Sequence, residues 1–431
     1  MEILIYVPKI TSRINYTFRQ LCKRILGFDI NFTTKIETFI AYKGVKFSYA
    51  NQRLGNEIFI QAHGLLNEQG VNDIEITVSK WQDTPYFFKT SSQSDIPYDI
   101  FAASFFLLTR YEEYLPHVKD ELGEFPADAS LAYQNDFLQK PVIDIWMAKF
   151  KEVLGKKFDS IESSKIQQNT TTIIIAVEKA FKYRKLGISR SIGGFILNLF
   201  QLKIRELYSR IKTWFNSTLD PYDVYDDLVS LKNSLGINML FMFQLGNYSI
   251  YTKNINYRKR LYKKLIKSMG DYCEIGLLAS HEGIEDIEVL NKEIKRFESI
   301  SNLELESVLI KDRKLNFPEF YVNLEKTIVQ KDFSMGYARH IGFRAGTCSS
   351  FLFYDLNLEQ ASPIELHPYF LSSQALNSIN NEQVFELIND LKPHKVNYNL
   401  LFDNSDFAED DQKNRFFEII KFIKNVATRP N

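Results

Sequence analysis

An α/β fold is the class this sequence predicts, and two observations predict it. From Thr170 onward, short apolar runs alternate with longer amphipathic stretches, the order in which strands and helices follow one another in a parallel sheet or (β/α) barrel. The first run, TTTIII over Thr170–Ile175, is continuously β-branched rather than alternating. That is the pattern of a strand covered on both faces. Chemistry in such folds gathers at the carboxyl ends of the strands. Here that end reads Ala176, Val177, Glu178, Lys179.

Composition narrows the function classes. The chain has 431 residues, 53 basic against 53 acidic, and 45% hydrophobic content. That length fits two to three domains with a sizeable core. Balanced charge gives no general attraction to nucleic acid or anionic membrane. Cys22, Cys273 and Cys348 lie far apart with no CxxC, which argues against a disulfide framework or a zinc knuckle. The opening MEILIYVPKI has too short an apolar run for a signal peptide. No stretch reaches the ~20 apolar residues of a membrane span. A cytoplasmic protein is the expectation.

The elements follow in order. Ile3–Val7 reads as a strand and Thr11–Leu26 as a helix. Thr34–Tyr49 carries a hairpin pattern: Ile36, Thr38, Ile40 and Tyr42 alternate, Lys43-Gly44 turns, and Val45, Phe47 and Tyr49 alternate back. Glu57–Ala62 is a further strand. Pro97–Tyr114 and Val142–Leu154 have helical spacing. The polar, Ser-rich run Lys156–Gln168 marks a domain boundary, giving a smaller N-terminal α/β domain over 1–165 and a larger one over 166–431. In the second part a long amphipathic helix is expected over Ile192–Phe215. Strands are expected at Asn238–Phe243, Tyr272–Leu278, Leu305–Ile310, Phe351–Tyr354, Ile364–Leu366 and Val396–Phe402. Helices are expected between and after them, ending with Asp410–Val426.

Several long blocks carry a family resemblance. Phe101–Leu131 contains RYEEYLP and FPADASL, and Asp332–Leu356 reads DFSMGYARHIGFRAGTCSSFLFYDL. DPYDVYDDL (Asp220–Leu228) and LNFPEFY (Leu315–Tyr321) add to them. In these blocks the chain resembles polysaccharide deacetylase-like proteins of the NodB-homology class, carbohydrate esterase family four, in a subgroup with an extra N-terminal α/β domain. The resemblance implies a distorted (β/α) barrel in the C-terminal part. It also implies hydrolysis of a sugar N-acetyl amide: a divalent metal activates water, a carboxylate acts as base and a His as acid.

Carried over residue by residue, the implied chemistry is missing. Ala176 stands at the position of the base and Glu178 at that of the metal carboxylate. Leu278 stands where a metal His is expected, Leu309 and Lys311 where Arg and His are expected, and Asp403 where the acid His is expected. The resemblance makes Arg344, Thr347, Tyr337 and Asn404 candidates for a carbohydrate pocket. Two readings remain. One is a catalytically degenerate, carbohydrate-binding or accessory protein that needs no cofactor. The other is an active zinc-dependent N-deacetylase with Glu178, His281 and Asp403 as rearranged ligands.

Overall fold

The computed structural model describes residues 1–121, 123–161, 170–183, 220–310, 315, 317–394 and 396–428. The helix expected over Ile192–Phe215, the boundary near residue 165 and Lys311 lie outside them. The first sheet is parallel and four-stranded: β1 (Glu2–Tyr6), β2 (Asp29–Thr33), β3 (Val45–Ala50) and β4 (Ile58–Gln61), in the order β2-β1-β3-β4. A short antiparallel pair, β5 (Ser79–Trp81) and β6 (Thr84–Tyr86), follows.

The hairpin expected over Thr34–Tyr49 is corrected. Ile36–Ala41 is a helix, and β3 runs parallel to β1 instead of folding back on its predecessor. Burial explains the misreading. Ile36 and Ile40 are 41% and 61% exposed, while Phe39 is buried against Tyr6. Alternating apolar residues therefore do not mark an alternately buried strand here. The helix expected over Pro97–Tyr114 is broken at Arg110, whose φ of 52° is left-handed. Ile100–Leu108 lies before the break and Tyr111–Tyr114 after it.

The second sheet has nine strands: β7 (Thr171–Val177), β8 (Asn238–Gln244), β9 (Glu274–Ala279), β10 (Ser307–Ile310), β11 (Lys331–Asp332), β12 (Phe351–Asp355), β13 (Gln360–Leu366), β14 (Leu371–Ser372) and β15 (Tyr398–Asp403). Their order is β12-β13-β11-β10-β9-β8-β7-β15-β14, with only β12 antiparallel to its neighbour. β7 is buried on both faces, as its sequence predicts. Ile173, Ile175 and Val177 belong to the large core, and Ile174 and Ala176 to a separate apolar cluster on the opposite face.

Connectivity dictates that this sheet curves. β13 and β14 are separated by seven inter-strand steps, roughly 34 Å across a flat sheet. The chain joins them through His367–Phe370 alone, a link that spans at most roughly 18 Å. The two ends must therefore turn toward each other, which makes the face carrying Ile174 and Ala176 concave.

The first helix ties the two sheets together. Thr11 caps Ser12–Phe18 by accepting the Ile14 N–H at 3.1 Å. Arg13, 1% exposed, donates to Glu359 at 2.9 and 2.5 Å, and Tyr16 donates to the Leu352 carbonyl at 2.7 Å. A single apolar core runs from β1 through β7 to the Asp410–Thr428 helix. Among the described residues, no helix is long and apolar enough to cross a membrane.

Gly276 shows how tightly the curved sheet packs. A Cβ there would lie 2.5 Å from Met242 Sδ and 2.6 Å from the Ser307 carbonyl oxygen. Because one of these atoms is backbone, Gly276→Ala is expected to cost about 1–3 kcal/mol. Denaturant unfolding checks this, and an unchanged midpoint would show that the neighbours can move.

Candidate functional site

Strand register brings the sequence-nominated positions to one place. Asp403 pairs with Ala176, Ala176 with Met242, and Met242 with Gly276. One step further along, Gln244 pairs with Leu278 and Leu278 with Leu309. Period-two alternation then turns Ala176, Met242, Leu278 and Leu309 to the concave face, where they join Phe333 and Tyr369 in one buried apolar cluster. Tyr369 reaches this position because Gly336 has no side chain. A Cβ on Gly336 would lie 2.5 Å from the Tyr369 ring.

The polar residues nominated at this end of the sheet have contacts of their own. Asp403 forms a reciprocal capping box with Asp406, whose carboxylate accepts the Asp403 N–H at 2.7 Å. His281 opens the short His281–Glu285 helix. Its ring rests on Tyr251, with centroids 4.4 Å apart, and its Nε2 lies 3.5 Å from Glu285. Glu178 is half-buried just beyond β7. Among the described residues, no three His, Cys, Asp or Glu side chains gather closely enough to hold a metal ion. Glu178, His281 and Asp403 are not part of any such group. The apolar donors-to-be at Ala176, Leu278 and Leu309 do not fit a metal either, since a catalytic zinc takes three protein ligands.

The four pocket candidates are built into the packing. Arg344 is 1% exposed and grips Glu113 with both edges, Nε to Oε1 at 3.0 Å and Nη2 to Oε2 at 2.7 Å. Arg110, also buried, donates to the same Glu113 at 2.7 Å and to Glu112 at 2.8 Å. It also donates to Tyr337 Oη at 3.1 Å and to the Arg344 carbonyl. Tyr337 in turn lies under the Arg344 guanidinium, 4.9 Å from ring centroid to cation. Thr347 donates to Asp144 at 2.7 Å, and Ser349 donates to the other oxygen of that carboxylate at 2.7 Å. Asn404 donates to the Lys179 carbonyl at 3.0 Å.

The RYEEY and GFRAGT blocks thus meet in a buried charge network. Burial disfavours every charge in it and prevails at Glu112, whose carboxyl is pushed above its ordinary value, while at Glu113 the opposing charges win. Burial pushes the Glu113 carboxyl up, while Arg344 and Arg110 together hold it below its ordinary value. Glu124 sits at the margin with weaker help. Burial pushes it up to about 7 against the charge of Arg344 and the Leu315 N–H, which it accepts at 2.6 Å. Sequence reasoning quoted RYEEYLP but assigned Arg110 and Glu113 no role. The signal was two acids beside an Arg in an otherwise apolar stretch, because buried charges require partners.

Two outcomes follow. Glu113→Gln leaves two buried guanidinium groups without their shared carboxylate and is expected to destabilise the chain by roughly 3–5 kcal/mol in denaturant unfolding. Glu124 titrates higher folded than unfolded, so the folded chain keeps a proton there that the unfolded chain releases between its ordinary value and about 7. Its contribution is complete at acid pH and is lost as pH rises through about 7, a decline on the order of 2–3 kcal/mol. Glu124→Gln should flatten the fall in unfolding midpoint between acid and mildly basic pH. Parallel curves for the two proteins would refute this assignment.

Comparison with known proteins gives the following. The model of a family of unknown function, DUF7033, matches residues 3–159. No curated protein matches the sequence. A structure from Mycobacterium smegmatis assigned as a polysaccharide deacetylase aligns over 62% of this chain and 86% of its own, at 11% identity and a TM-score of 0.37. A CE4 family pseudoenzyme from Bacillus anthracis aligns over 60% of this chain and 62% of its own, at 7% identity and a TM-score of 0.31. A GH138 enzyme targeting pectin rhamnogalacturonan II aligns over 100% of this chain and 64% of its own, at 11% identity and a TM-score of 0.28.

Proposed function

We propose that this chain is a deacetylase-like protein that keeps the sheet and lacks the hydrolytic centre. Its role is then carbohydrate binding or an accessory task in surface-polysaccharide metabolism within the cytoplasm. In this reading the curved nine-stranded sheet is a distorted barrel, and residues 1–165 form a smaller domain built against it. One observation carries it: Ala176, Leu278 and Leu309, three positions at which the sequence resemblance requires polar chemistry, belong to one buried apolar cluster with Met242, Phe333 and Tyr369.

Amide hydrolysis needs a polarised carbonyl, a base for water and an acid for the leaving amine. Ala176 accepts no proton. Leu278 and Leu309 have no atom that ligates a metal or stabilises an oxyanion. Asp403, where the resemblance expects an imidazole, is held in a capping box with Asp406. With several defects in one place, a single reversion is expected to be insufficient.

The full chain is expected to release no acetate above blank from N-acetylated chito-oligosaccharides with added zinc or cobalt, both as wild type and as Ala176→Asp. It is also expected to bind surface-polysaccharide fragments on a glycan array in the presence of EDTA. Metal-dependent acetate release that disappears in Glu178→Ala would overturn the reading in favour of an active hydrolase.

A further inference from the structure

A cleft of about 440 Å³, lined by none of the residues of the concave-face cluster, lies where the Tyr133–Gln139 stretch meets the Arg339–Ile341 segment and Ile379. Its volume is in the range of small-molecule sites. The two walls are fixed relative to each other. Phe343 N–H donates to the Leu138 carbonyl at 2.8 Å, and Gly342 N–H donates to the Phe370 carbonyl at 2.9 Å. Gly342, at a φ of 149°, has no Cβ, and one would lie 2.5 Å from that Leu138 oxygen. The approach of the walls thus depends on a glycine.

The lining has two chemistries. Leu138, Ile341 and Ile379 form an apolar base, and Tyr133 stands 44% exposed with its ring perpendicular to His340 at 5.6 Å between centroids. An exposed aromatic face of this kind stacks on the C–H face of a sugar ring. Around it stand Asp136, Gln139 and Arg339. Arg339 is exposed and makes no hydrogen bond or ion pair among the described residues, in contrast to the fully engaged Arg13, Arg110 and Arg344. A planar guanidinium that is free matches a carboxylate bidentately. The cleft continues past Ser378 and Ile379 into a second, more open hollow of about 490 Å³ bordered by the amides of Asn377, Asn380, Asn381 and Gln383. Asn381 is engaged with Arg415 and Glu418, and the oxygens of Asn380 and Gln383 accept backbone N–H groups, which leaves the side-chain N–H groups of Asn380 and Gln383 to donate to hydroxyl groups.

We infer that this groove binds an acidic oligosaccharide, with Tyr133 stacking on a sugar ring and Arg339 holding a uronate carboxylate. The inference rests on the carbohydrate reading above but moves the ligand from the apolar-filled barrel face to a different surface. The test is calorimetric titration of the full chain with a galacturonic acid trimer and a neutral galactose trimer. The acidic trimer should bind more tightly by roughly ten-fold or more. Arg339→Ala should remove that preference, and Tyr133→Ala should weaken whatever binding remains. Both residues are exposed, so unfolding midpoints should not move. Acidic-trimer binding that is equal in wild type and both variants would overturn the groove and leave the carbohydrate reading standing. Equal binding of the two trimers to wild type would overturn the acidic class. If neither trimer binds and the glycan array is also blank, both readings fall; if the array binds but the trimers do not, only the groove falls.

Discussion

Glu113 is the residue on which the interior depends. Two guanidinium groups, Arg110 and Arg344, come from segments far apart in sequence and are both fully buried. Neither is tolerable in a low-dielectric interior without a counter-charge. One carboxylate serves both, which draws the GFRAGT segment against the RYEEY turn and fixes Tyr337 between them. Arg110 also has the left-handed backbone that breaks the helix. The side chain of that residue is the one that pairs with Glu113 and Glu112.

This arrangement separates two kinds of polar residue that look alike in sequence. Arg344, Thr347 and Tyr337 were nominated as pocket residues from the sequence, yet in this fold each has a protein partner that occupies it. They hold the sheet to the segment before it. Meanwhile the strand ends, where parallel folds keep their chemistry, are lined by leucine, methionine and aromatic side chains. The polarity lies at the joints of the structure, while the concave face is apolar core.

The legibility of the fold tracked burial on both faces. β7 and β8 were readable because a strand covered on each side is apolar throughout, whatever its partners. β11 and β14, two residues each, are too short to leave any pattern. β2, DINFT, is half polar and was missed for that reason. The helix over Ile36–Ala41 was mistaken for a strand because exposed isoleucines mimic alternation. At the site, departures from an expected motif were visible residue by residue. Their convergence was not, since register between strands is a tertiary property. Nor could local spacing reveal that Glu113 pairs with Arg344, 231 positions away.

The first helix has a consequence that concerns the chain's neighbours more than its own interior. β12 is the outermost strand of the large sheet, and an outermost strand offers its unpaired backbone to any passing strand. Here Tyr16 takes the Leu352 carbonyl, and in the π-helical Arg19–Ile25 stretch that continues the first helix Gln20 takes that of Ser350 at 2.8 Å and Arg24 pairs with Glu365 on the next strand. The helix therefore works as a guard rail along the sheet's open border. A chain shortened at its start would lose more than a few contacts: it would expose a sticky edge, and its first symptom would be self-association.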